Sequence, residues 1–142
     1  MKTSTIMVVE DNPLNMKLVR SLLKLNGYEV IEAEDAELAI QLASVYQPDL
    51  ILMDIQLPGM DGLEATRIIK SQEESKNIPV VALTSYAMPG DEEKAREAQC
   101  TGYITKPIDT RNFIDTIKKF LNPQAGEQKP EPEKILSGNR EF

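Results

Sequence analysis

Two rhythms of apolar residues alternate along this chain. Short continuous apolar runs occur at Thr5–Val9, Tyr28–Ala33, Asp49–Asp54, Ile78–Leu83 and Gly102–Thr105. Runs of that length, rich in β-branched residues, predict strands. The nearly unbroken DLILMD segment predicts one buried on both faces. Between them, apolar residues recur every three or four positions, as helices require. The first such stretch carries Leu14, Leu18, Leu22 and Leu25, with Asn12 placed to cap it, Pro13 in its first turn and Gly27 at its end. The second follows Asp35 and carries Leu38, Ile40, Leu42 and Val45, with Pro48 beyond it. After the turn-rich LPGMDG loop, Asp61 and Glu64 are spaced as a capping box for a helix through Ile69. A helix over Met88–Ala98 is weakened by Pro89 and Gly90. The last places Phe113, Ile117, Phe120 and Leu121 on one face.

Five strand-then-helix units in succession imply an α/β domain with a parallel sheet and helices on both faces. The rhythm stops at Asn122. QAGEQKPEPEK is polar and proline-rich, and predicts a disordered tail or linker over residues 122–142 after an ordered domain over 1–121. Ile135 and Leu136 interrupt its polarity without forming a pattern.

Composition narrows the function. A net charge of −7 over 142 residues disfavours direct contact with nucleic acid. No apolar run reaches membrane-spanning length, and the N-terminus lacks the layout of a signal peptide. The single Cys100 forms no internal disulfide, which fits a reducing, cytoplasmic setting. Histidine is absent, which removes imidazole catalysis and histidine metal sites.

In a parallel α/β sheet, ligands bind at the carboxyl ends of the strands. The residues expected there are Glu10 and Asp11 after the first strand, Asp54 closing the third, Thr84 after the fourth and Lys106 after the fifth. Singly, each has an ordinary structural use: a turn, a cap, a strand-end hydroxyl, a surface charge. Together they form an acidic cluster that needs compensating positive charge. Lys106 supplies one charge and a divalent cation the rest. With oxygen ligands only, Mg²⁺ is the expected ion. Such a set suits phosphoryl transfer, with Asp54 as nucleophile, Lys106 and the ion neutralising charge, and Thr84 donating a hydrogen bond.

The segments VVEDNPLN, DLILMDIQLPGMDGLEATR, VVALTSYAM and GYITKPID resemble the response-regulator receiver domains of two-component signalling. The likeness covers Ile6 to about Leu121, and its wording is similar to single-domain polarity regulators and to receiver modules of hybrid kinases. It implies a doubly wound, five-stranded parallel sheet of order 2-1-3-4-5, flavodoxin-like in the CheY manner. It implies that Asp54 is the phosphoacceptor and that Asp11 is the direct Mg²⁺ ligand, assisted by Glu10. The Gln56 backbone carbonyl completes the coordination, and Lys106 pairs with the phosphoryl group. Thr84 and Tyr103 form the switch pair, and the Lys106–Pro107 peptide is cis. The implied phosphodonor is a histidine kinase or histidine phosphotransfer protein. The implied output is a downstream protein docking on helix 4, strand 5 and helix 5, with no enzymatic activity beyond assisting phosphorylation and dephosphorylation at the site. A phosphorelay carrier, or a receiver cut from a hybrid histidine kinase, is the alternative.

Three positions depart from the family pattern: Ser85, Pro89, and Gln99 where glycine is usual. If Gln99 takes a left-handed backbone it costs on the order of 1 kcal/mol. Other classes fit less well. An aspartate-nucleophile phosphatase needs a second acid at the position of Gln56, and a flavin module needs a Ser/Thr/Gly-rich loop where EDNPLN stands. A degenerate receiver would lack part of the acidic set.

Overall fold

In the computed structural model, residues 3–84, 90–122 and 139–141 are described. The strands are β1 (Thr5–Val9), β2 (Glu29–Ala33), β3 (Leu50–Asp54), β4 (Val80–Thr84), β5 (Gly102–Thr105) and β6 (Asn139–Glu141). The helices are α1 (Pro13–Leu25), α2 (Ala36–Tyr46), α3 (Gly62–Ser71), α4 (Asp91–Glu97) and α5 (Phe113–Leu121). The sheet order is β2-β1-β3-β4-β5-β6. The first five strands run parallel in the expected 2-1-3-4-5 arrangement, and β6 is antiparallel to β5. No described helix is long and apolar enough to cross a membrane.

The period-two geometry of β3 explains its unbroken apolar run. Ile51 and Met53 enter a core layer with Ala36, Ala39 and Ala43 of α2 and Ala65 and Ile69 of α3. Leu50 and Leu52 enter the opposite layer, with Met16, Val19 and Leu23 of α1 and Phe113, Ile117 and Phe120 of α5. A strand sandwiched this way has no polar face to show.

Local signals set the helix ends. Asn12 Oδ1 accepts from the Leu14 and Asn15 amides, Asp35 Oδ1 from Leu38, and Asp61 Oδ1 from Glu64. At the end of α1, Gly27 has φ 88°, and the Tyr28 and Gly27 amides donate to Leu23 and Lys24 carbonyls, the Schellman arrangement.

The leucine stripe of α1 is not its buried face. Leu14 is 78% and Leu25 83% exposed, whereas Met16, Val19 and Leu23 pack on the sheet. At 100° per residue those three point roughly opposite to the leucines, and periodicity alone does not say which of two apolar stripes meets the sheet. Likewise α2 turns its alanines fully inward and leaves Val45 72% exposed. The short strand β6 lies inside the segment read as a disordered tail or linker. The expected start of α4 at Met88 lies outside the described residues, as do Ser85 and Pro89, and the helix begins at Asp91 after Gly90.

Gln99 has φ 74° and occupies the left-handed position after α4, where its amide donates to Arg96 O and that of Cys100 to Ala95 O. Glycine enters that region without the steric penalty of a Cβ. Gln99→Gly is therefore expected to stabilise the protein by about 1 kcal/mol and raise Tm by about 4 °C. Thermal unfolding checks this, and an unchanged or lower Tm would mean that the Gln99 side chain contributes more than its backbone loses.

Candidate metal and phosphoryl site

Because β1, β3, β4 and β5 are parallel, their carboxyl ends share one edge of the sheet. Glu10 follows β1, Asp54 ends β3, Thr84 ends β4 and Lys106 follows β5. Glu10, Asp54 and Thr84 are each at most 3% exposed, and Asp11 is exposed beside them. The main chain knits the edge together: Glu10 N donates to Ala33 O at 3.0 Å, Ile55 N to Leu83 O at 3.0 Å and Lys106 N to Thr84 O at 2.6 Å. The Lys106–Pro107 peptide is cis.

Lys106 links two of the acids. Its Nζ lies 2.7 Å from Glu10 Oε1 and 3.1 Å from Asp54 Oδ2. The remaining carboxylate oxygens meet amides: Gln56 N donates to Asp54 Oδ1 at 2.9 Å, and Asn12 N to Glu10 Oε2 at 3.2 Å. Two buried acids against one ammonium leave a deficit of positive charge. Burial raises the Glu10 pKa above its ordinary value, Asp54 raises it further, and the bonds from Lys106 and Asn12 only partly oppose this. Burial alone would lower the Lys106 pKa, but its bond to Glu10 and the Asp54 charge outweigh burial and hold it raised.

Carboxylate oxygens of Glu10, Asp11 and Asp54 all lie within 4.8 Å of one another. An all-oxygen donor set with surplus negative charge fits a hard divalent cation. The structure thus brings together Glu10, Asp11, Asp54 and Lys106, with Thr84 on the adjoining strand. Tyr103 stands apart from them, buried mid-way along β5 in the layer with Ala82, Ala95 and Cys100.

Two features of the site have no clear sequence signal. Gly62, the first residue of α3, sits so close to β3 that a Cβ there would lie 2.2 Å from the Asp54 carbonyl oxygen. In sequence, Gly62 of the LPGMDG loop reads only as a turn residue. Secondly, a groove of about 430 Å³ beside the site is lined by Asn15, Leu18, Val19, Leu83, Pro107 and Ile108 as well as Glu10 and Lys106. It puts part of the exposed leucine stripe next to the acids.

Residues 6–118 match the model of the response regulator receiver domain. The chain is 52% identical over 119 residues to the polar-differentiation response regulator DivK of Brucella ovis, covering 84% of this chain and 97% of the relative. Among solved structures, the receiver domain of the sensor histidine kinase PA1611 of Pseudomonas aeruginosa, with a magnesium ion coordinated in its active-site cleft, superposes with a TM-score of 0.78. It is 34% identical and is covered over 98% of its length and 84% of this one. A LuxR-family two-component response regulator of Aurantimonas gives a TM-score of 0.80 at 33% identity, with 96% of this chain and 95% of that one covered. Sequence match, fold and a strand-end acidic cluster therefore agree: the chain belongs to the response regulator receiver domains of two-component signal transduction.

Proposed function

We propose that this receiver takes a phosphoryl group onto the Asp54 carboxylate in a Mg²⁺-dependent reaction, from a phosphohistidine on a histidine kinase or histidine phosphotransfer protein. The observation that carries the reading is the environment of Asp54: a buried strand-end carboxylate with a lysine ammonium at 3.1 Å on one oxygen and the Gln56 amide at 2.9 Å on the other. A carboxylate oxygen of Asp54 forms the new P–O bond as the donor's P–N bond breaks and its imidazole leaves. Lys106, already bridging Asp54 and Glu10, is placed to pair with the phosphoryl oxygens, and the Thr84 hydroxyl to donate to one of them. Asp11, Glu10, Asp54 and the Gln56 carbonyl would hold Mg²⁺, which when bound neutralises charge on the transferring group. Recruitment of Thr84 and Lys106 to the new dianion, with repositioning of Tyr103, is the proposed route to the α4–β5–α5 face.

The metal assignment has its own test. Both Glu10 oxygens are engaged, by Lys106 and by the Asn12 amide, whereas Asp11 is exposed at the cluster. Glu10→Ala should weaken Mg²⁺ binding about tenfold, as loss of a supporting group does, and Asp11→Ala by considerably more. Titration of Mg²⁺ against each variant, followed by thermal shift, decides it. Equal affinities would overturn the assignment.

The donor's docking surface is proposed to include the groove beside α1. Leu18 is 39% exposed on its wall, and Leu14 more so one turn earlier. Leu18→Asp should slow transfer from a phosphorylated histidine kinase by roughly tenfold or more, as loss of an apolar interface anchor does. It should leave labelling by acetyl phosphate unchanged, since that donor needs no docking surface. Equal slowing with both donors would show damage to the site itself.

A further inference from the structure

The strand β5 would be the open edge of a five-stranded sheet, and it is poorly protected as an edge. Residues Gly102, Tyr103, Ile104 and Thr105 include no charge and no proline, the usual means of discouraging strand addition. Lys106 N donates to Thr84 O at 2.6 Å, and the register sets Val81 beside Gly102 and Leu83 beside Ile104, so the Gly102 and Ile104 amides face β4 and strand alternation turns the backbone groups of Tyr103 away from it. Those outward groups face β6, with Tyr103 opposite Arg140, between Gly102 opposite Glu141 and Ile104 opposite Asn139.

This cover is not part of the receiver unit. It lies beyond residues 6–118 of the family match, and the Brucella ovis relative is matched over 97% of its own length by only 84% of this chain. The ladder is three residues long, too short for a stable pairing between separate chains. The sixteen residues 123–138 tether it, with about 50 Å of contour when extended. A tether of that kind holds a weak ligand near its site at an effective concentration on the order of millimolar, while leaving it displaceable.

We propose that the β5 edge is a peptide-binding edge whose resident ligand is this chain's own C-terminal segment Asn139–Glu141. An outside protein then gains the edge only by offering an extended strand that displaces the segment. The proposal stands on the strand pairing and the unprotected edge, independently of phosphoryl chemistry.

The test uses the full-length chain and a full-length variant carrying Arg140→Pro. Arg140 lies opposite Tyr103, whose backbone groups point outward, so proline removes the amide that the pairing needs. In the native chain the Tyr103 amide should exchange slowly by NMR. In the variant it should exchange at least about tenfold faster, while Thr101 and Lys106, bonded to Val80 and Thr84, stay protected. The synthetic octapeptide ILSGNREF, residues 135–142, should bind the variant and shift Tyr103. It should bind the native chain at least about tenfold more weakly, because the tethered copy competes. Equal exchange in the two proteins would overturn the proposal, as would equal peptide affinity or no peptide binding to either. Protection that disappears on dilution, together with a dimer in sedimentation, would also overturn it, by assigning the edge to a second copy's tail.

Discussion

Asp54→Ala is expected to take up no phosphoryl group under conditions in which the native chain, incubated with acetyl phosphate and Mg²⁺, should gain one by intact-mass spectrometry. The loss should be complete because the neighbouring acids cannot substitute. Glu10 is held by Lys106 at 2.7 Å and by the Asn12 amide at 3.2 Å, and Asp11 is exposed at the rim. Equal labelling of the Asp54→Ala chain would sink the assignment. The same substitution carries a pH signature in the metal-free protein. Burial, and then Asp54, raise the Glu10 pKa. A carboxyl raised on folding contributes stability that is fully present below its ordinary value of 4.5 and is lost as pH rises through its higher folded value. Removing Asp54 removes one cause of the rise. The fall in stability from pH 4.5 towards neutrality should therefore be shallower in Asp54→Ala than in the native chain. A steeper fall would mean that Asp54 does not repel Glu10.

Gly62→Ala is the largest expected loss of stability from a single added carbon, about 3 kcal/mol or more, with Tm falling by roughly 10 °C. The added Cβ would stand 2.2 Å from Asp54 O, 2.8 Å from Ile55 Cα and 2.9 Å from Asp54 C. All three are backbone atoms of the strand end, so no side chain can swing aside and α3 must retreat. Retreat stretches the Gly62 N to Ile55 O bond, already 3.3 Å, and loosens the turn that presents the Gln56 amide to Asp54. Phosphorylation by acetyl phosphate should slow along with the loss of stability. Gly59→Ala is the control. Its Cβ meets nothing within 4 Å, and its φ of 76° penalises alanine by only about 1 kcal/mol, so labelling should be nearly normal. Similar losses in both variants would show that backbone conformation, not the close approach of α3, governs this loop.

Much of this molecule is written in local pattern. Strand β3 is continuous in apolar residues because both of its faces are covered, and Asn12, Asp35 and Asp61 announce helix starts that their side chains do cap. The acids and Lys106 could be assigned to one edge because parallel strands put their carboxyl ends together, whatever the intervening helices contain. These features follow from the residues themselves and their near neighbours. Direction and contact do not. Lys106 meets Glu10 across 96 residues and Asp54 across 52, and no local rule sets 2.7 Å against 3.1 Å. The α1 sequence carries two apolar stripes, and only packing against the sheet decided that Met16, Val19 and Leu23 go inward while Leu14 stays out. Gly62 reads as a turn residue until α3 is seated on the Asp54 carbonyl. The polar triplet Asn139–Glu141 has no strand pattern of its own. It becomes β6 because it lies along the edge strand β5, whose outward backbone groups can pair with an extended segment of any sequence.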